Sequence, residues 1–148
     1  MRNAFCLALL LAAMPLSAAD IGLIKVANGN VTIERAGARV KAEVGSAVRA
    51  ADVLRTGTDG SAGITFSDNS LVSIGPNTVF AVDQYEFDST THAGRFDASL
   101  RQGRLAAVSG KIVKQSPGAM KIRTPASVMG VRGTEFVVQV DEPVVAQR

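Results

Sequence analysis

One histidine, His92, is the only side chain in the 148 residues whose ordinary pKa lies near neutrality. It stands in Ser89-Thr90-Thr91-His92-Ala93-Gly94, a run of turn formers that reads as a solvated loop tip. A single imidazole makes no metal site without partners. Ser127 lies in a Pro-Ala-Ser-Val-Met-Gly context that lacks the Gly-x-Ser-x-Gly elbow of hydrolases, and no acid–histidine pair is evident to activate it. The carboxylates Asp83, Glu86, Asp88 and Asp97 crowd one stretch, where a glycosidase pair or a Ca2+ site would be sought. Without an Asp-x-Asp-x-Asp-Gly loop they read as the polar faces of strands. Gly130-Val131-Arg132-Gly133 misses the P-loop spacing and leads into a strand rather than a helix. The expectation is a protein with no catalytic residue, no cofactor, no metal and no small-molecule substrate.

Basic residues are denser toward the C-terminal half: Arg101, Arg104, Lys111, Lys114, Lys121, Arg123 and Arg132. If Lys121 and Arg123 share a strand face with Lys111 and Lys114 nearby, an anionic surface such as lipid head groups or cell-wall polymer would dock there. The chain as a whole is only mildly basic, with sixteen Lys and Arg against thirteen Asp and Glu. Few aromatics offer themselves for base stacking, so nucleic acid is not an expected partner.

The first residues read as a leader. Met1 and Arg2 give a positive start, Ala4 to Leu16 is apolar, and Ser17 and Ala19 stand two apart as a signal peptidase requires. The apolar run is shorter than the ~20 residues that span a bilayer. Residues 1–19 are therefore expected to be a cleaved signal peptide, 20–141 one domain, and 142–148 a short tail. Cys6, the one cysteine, lies inside the leader, so the processed chain would have no thiol or disulfide and burial alone would hold its fold.

Short apolar or β-branched runs broken every eight to twelve residues by Gly, Asn, Asp or Pro predict an all-β fold. Asn28-Gly29, between Ile21–Ala27 and Val31–Arg35, is the strongest hairpin signal, and Ala36-Gly37-Ala38 makes another turn. Ile64 and Phe66 would share a core face, as would Val72 and Ile74. From Asp83 to Asp97 the spacing predicts a protruding hairpin anchored by Tyr85, Phe87 and Phe96 with His92 at its tip, a candidate partner surface. A turn precedes Gly103–Val108, Met120–Thr124 is a strand stopped by Pro125, and Thr134–Val140 is the most strand-like run in the chain.

The segment Met120 to Val138, with Thr124-Pro125 and Gly130-Val131-Arg132-Gly133-Thr134-Glu135-Phe136, resembles the closing motif of FecR-type domains. Arg55-Thr56-Gly57, Ala62 to Phe66, Asp68-Asn69-Ser70-Leu71 and Gly75-Pro76-Asn77-Thr78 are similar to that family's central repeat-like hairpins, and Leu100 to Leu105 makes a third match. The resemblance covers roughly residues 22 to 141. Asn69 stands where the family usually has Gly, and Asn tolerates positive φ well enough to keep the turn. Gly130 and Gly133 are expected to give the backbone room on either side of Val131-Arg132. The best-known FecR relatives are inner-membrane anti-sigma regulators with a transmembrane helix. This chain shows a leader and no later apolar span, so sigma-factor regulation does not carry over.

The leader, an all-β body without a catalytic constellation and the exposed hairpin lead to the expectation of an exported, periplasmic, non-catalytic FecR-like module that contacts another envelope protein through exposed strand edges or the 83–97 hairpin. The alternative is an envelope scaffold docked on anionic polymer or lipid through the basic half. The spacing leaves sandwich, jelly roll and β-helix or solenoid open as the arrangement of the strands.

Overall fold

The computed structural model describes residues 18–141. Most of the expected leader and all of the 142–148 tail lie outside them. Twelve strands and one short helix follow in order: β1 Asp20–Asn28, β2 Val31–Arg35, β3 Ala38–Lys41, β4 Ala47–Arg49, β5 Val53–Thr56, β6 Ser61–Phe66, β7 Leu71–Ile74, β8 Val79–Phe87, β9 Gly94–Val108, α1 Lys111–Gln115, β10 Met120–Arg123, β11 Val128–Gly130 and β12 Glu135–Val140. The all-β expectation holds. The strands form one continuous sheet in the order β3-β2-β5-β8-β9-β7-β6-β1-β4, curled into an open half-barrel, with β10 and β12 attached along the free side of β9 and β11 beyond β10.

The registers show how the curl arises. β1 and β2 run in line against β6 and β5, from Gly22 opposite Phe66 through Asn28 opposite Ser61 to Val31 opposite Thr56 and Ile33 opposite Leu54. β7 and β8 run in line against β9 in the same way. Four long strands are thus each folded once, at 29–30, 57–60, 75–78 and 102–103, so an upper half-sheet lies over a lower one. Glycines and two buried threonines make the fold line. Gly103 has φ +93, and a Cβ there would lie 2.2 Å from Thr78 Oγ1. Thr56 Oγ1 donates to the Gly75 carbonyl at 2.6 Å and accepts the Thr78 N–H at 2.9 Å, while Thr78 Oγ1 accepts the Arg104 N–H at 3.1 Å. These side chains supply the hydrogen bonds that the bent backbone no longer makes to its neighbours.

The core fills the space between the halves. Ala62, Ile64 and Phe66 of β6 and Val72 and Ile74 of β7 alternate inward as expected, against Leu54, Phe80, Phe96, Leu100 and Ile122 of the lower half. Phe66, Tyr85 and Phe96 form an aromatic trio, with Phe66 and Phe96 edge to face at 4.6 Å. Full burial of each such side chain contributes about 1.5–3 kcal/mol.

Several local readings change. Asn28-Gly29 is no hairpin: β1 and β2 do not pair, and Gly29 (φ +63) packs against the Asp59 carbonyl at the fold line. The two-residue hairpin is Ala36-Gly37, both at positive φ, between Arg35 and Ala38. Gly103 bends β9 without ending it. Residues 111–115 form α1, which buries Ile112 and Val113 and is too short to show a helical period. β10 pairs with β9 in parallel. Among the described residues no helix is long and apolar enough to cross a membrane.

Candidate functional site

β10, β11 and β12 follow one another from Met120 to Val140, with the Thr124–Phe136 motif running from the end of β10 into β12. β10 alternates buried Met120 and Ile122 with outward Lys121 and Arg123. Thr124 closes the turn to β11: its N–H donates to the Ser127 carbonyl at 2.8 Å, and Ser127 N–H donates to its Oγ1 at 3.1 Å. Pro125 is exposed within that turn. Val131 is buried and tied to β10, its N–H donating to the Met120 carbonyl at 2.8 Å. Arg132 points to solvent. Gly133 has φ +113, and its carbonyl accepts the Ser109 hydroxyl at 2.5 Å, which starts the last strand beside β9. Thr134 and Glu135 are exposed, and Phe136 packs half-buried on the core. Gly130 has ordinary φ and open space around it, so the freedom expected there is not needed.

This strap leaves two strand edges unpaired. Ser109 N–H donates to the Thr134 carbonyl at 2.7 Å and Glu135 stands opposite Val108, so residues 136, 138 and 140 exchange bonds with β9 while Glu135, Val137 and Gln139 direct their N–H and C=O groups outward. By the same phase, Val128 and Gly130 present theirs on the outer edge of β11. Among the described residues no strand pairs with either edge. A slot of about 150 Å³ lies between them over Ile122, Met129, Phe136 and Val138. A wider cleft of about 760 Å³ runs between the 124–127 turn and residues 137–141, over Arg101.

The expected partner hairpin exists, with Tyr85 opposite Phe96 and Phe87 opposite Gly94. Its aromatics are not offered to a partner as expected. Phe96 is fully buried, and Tyr85 turns inward, its hydroxyl donating to Asp68 Oδ1 at 3.0 Å. Burial, seconded by the Asp68 charge, pushes the Tyr85 pKa well above its usual value. Only Phe87 and His92 remain near the tip, their rings stacked at 6.1 Å. Asp88 accepts the Thr90 and Thr91 N–H groups, which shapes the tip and holds its pKa below the usual carboxylate range.

The carboxylates singled out from the sequence do not converge. Asp83 accepts the Ser99 hydroxyl, Asp97 pairs with Arg95 at 2.5 Å, Glu86 is exposed opposite Arg95, and Asp88 is at the tip. Lys121 and Arg123 do share an outward face, in a polar groove of about 450 Å³. Asp83 and Asp97 line the same groove, so the face is of mixed charge, and Lys111 and Lys114 belong to α1 instead.

Two buried carboxyl groups escaped the sequence reading. Asp52 receives Arg35 through Nε at 2.9 Å and Nη2 at 2.6 Å, plus the Arg49 N–H at 2.8 Å, and so closes the β3–β4 end. Asp68 accepts the Ser70 hydroxyl at 2.7 Å and the Ser70 and Ile112 N–H groups, joining the β6–β7 turn to α1. Their signal was a lone acid beside turn residues, which spacing does not distinguish from a surface turn.

Fold and site together define a domain that presents strand edges and surfaces, with no convergence of reactive groups among the described residues. The model of the FecR protein family matches residues 52–146, and the chain belongs to the FecR family. The match begins at the buried Asp52. β1 to β4 precede it and complete the sheet, β1 by pairing with β6. No curated protein and no solved structure matches the chain.

Proposed function

We propose that this chain is a non-catalytic interaction or signalling module of the bacterial envelope, acting in the periplasm after its leader is removed. Membership of a regulatory family supports the reading. The observation that carries it is the pair of unpaired strand edges, β11 and β12, beside apolar surface. Val137, Met129 and Val128 are exposed there, and across the upper half-sheet Leu23, Val26, Leu71 and Val108 extend an outer face with little charge. Edges of this kind are usually blunted by Lys, Pro or a cover, and β12 carries neither Lys nor Pro.

The edges serve as the docking surface rather than the 83–97 hairpin, whose anchoring aromatics are spent on the core. Docking on anionic polymer or lipid is the weaker reading, because Asp83 and Asp97 interrupt the Lys121–Arg123 face. Chemical crosslinking of the tagged chain in intact cells tests the proposal: a discrete adduct with one envelope protein is expected, and only self-adducts or none would overturn it.

A further inference from the structure

We propose that the slot between β11 and β12 is a strand-insertion groove, which takes one extended segment of a partner protein with apolar side chains at alternate positions. This rests on the interaction reading above and specifies its surface. The groups left over on both banks are backbone N–H and C=O groups, from Glu135, Val137 and Gln139 on one side and Val128 and Gly130 on the other. They recur at every second residue, about 6.6 Å apart. Only another extended backbone meets such groups in series, which is strand addition.

The floor selects the side chains. Ile122, Met129, Phe136, Val137 and Val138 line the slot with Arg132 beside them, so the residue of the segment that enters it meets mostly apolar surface while its neighbours face solvent. Charge is nearly absent from the β12 bank, where Glu135 is the one ionisable residue. The slot measures about 150 Å³, room for about one side chain, so a single extended segment lying along the β12 edge seats one apolar residue in it.

The test uses the purified full chain and a synthetic peptide of alternating Val and Thr, with the same peptide N-methylated at alternate amides as control. Amide exchange at Glu135, Val137 and Gln139 is expected to slow about tenfold with the first peptide and to stay unchanged with the second. Val137→Pro removes one outward donor and no bond to β9, so it should abolish this protection while the thermal transition persists. Gln139→Pro serves as an independent second variant. The groove is overturned if the peptide protects no β12 amide, if the methylated peptide protects equally, or if these amides are already slow before peptide is added because the tail or a second copy covers them. A Val137→Pro chain that loses the peptide yet keeps its crosslinked partner in cells would refute the groove as the docking surface and leave the interaction reading standing.

Discussion

Single side chains decide how tightly the two ends of the sheet are held. Asp52 is 1% exposed and gathers three donors from Arg35 and Arg49, so Asp52→Ala leaves a guanidinium and a backbone N–H without their acceptor. Urea unfolding should show a loss of about 3 kcal/mol. Tyr85 is the one tyrosine in the chain, so its ionisation can be followed optically without overlap from another tyrosine. Its folded pKa lies above the ordinary tyrosine value of about 10, because burial penalises the phenolate. The stability it contributes is full below about pH 10 and is lost as the pH rises further, since the unfolded phenol ionises first. Tyrosinate absorbance should therefore appear only as the fold opens, and the alkaline loss of stability should shrink in Tyr85→Phe. Ordinary titration of the native protein near pH 10 would contradict the burial of this ring.

At the scale of elements, the turns make distinct demands on glycine. Gly103→Ala places a Cβ against Thr78 at a positive φ and should cost about 2 kcal/mol or more, while Gly37→Ala, at positive φ in open space, should cost about 1 kcal/mol. Thermal unfolding of the two variants checks the contrast. The strands themselves were legible: Ala62–Phe66, Leu71–Ile74, Met120–Arg123 and Glu135–Val140 fall where alternation and turn residues put them. Asn69, at φ +66, takes the conformation argued for it from residue type alone. Phe96 turns inward in plain alternation with Ala98 and Leu100, but Tyr85 does so for a reason that alternation hides. A bulge between Val82 and Gln84 shifts the phase of β8, so the inward set passes from Phe80 and Val82 to Tyr85, and simple alternation cannot see the change. Asn28-Gly29 misled because a hairpin dipeptide records local φ preference, and pairing is decided by which strand covers Ile24, here Ile64 of β6.

For the molecule as a whole, the sequence announced β-structure and the family motif but not the fold line. That line depends on turns 29–30, 57–60, 75–78 and 102–103 coming side by side, a relation between residues far apart in the chain. Because the motif leaves β12 with one bare edge, the docking surface we propose is a seam rather than a pocket of reactive groups. The most direct test of that claim is residue-resolved amide exchange along Glu135–Val140 in the purified chain. Slow exchange at Phe136, Val138 and Val140 alternating with fast exchange at Glu135, Val137 and Gln139 is the predicted pattern; uniformly slow exchange at all six would contradict it.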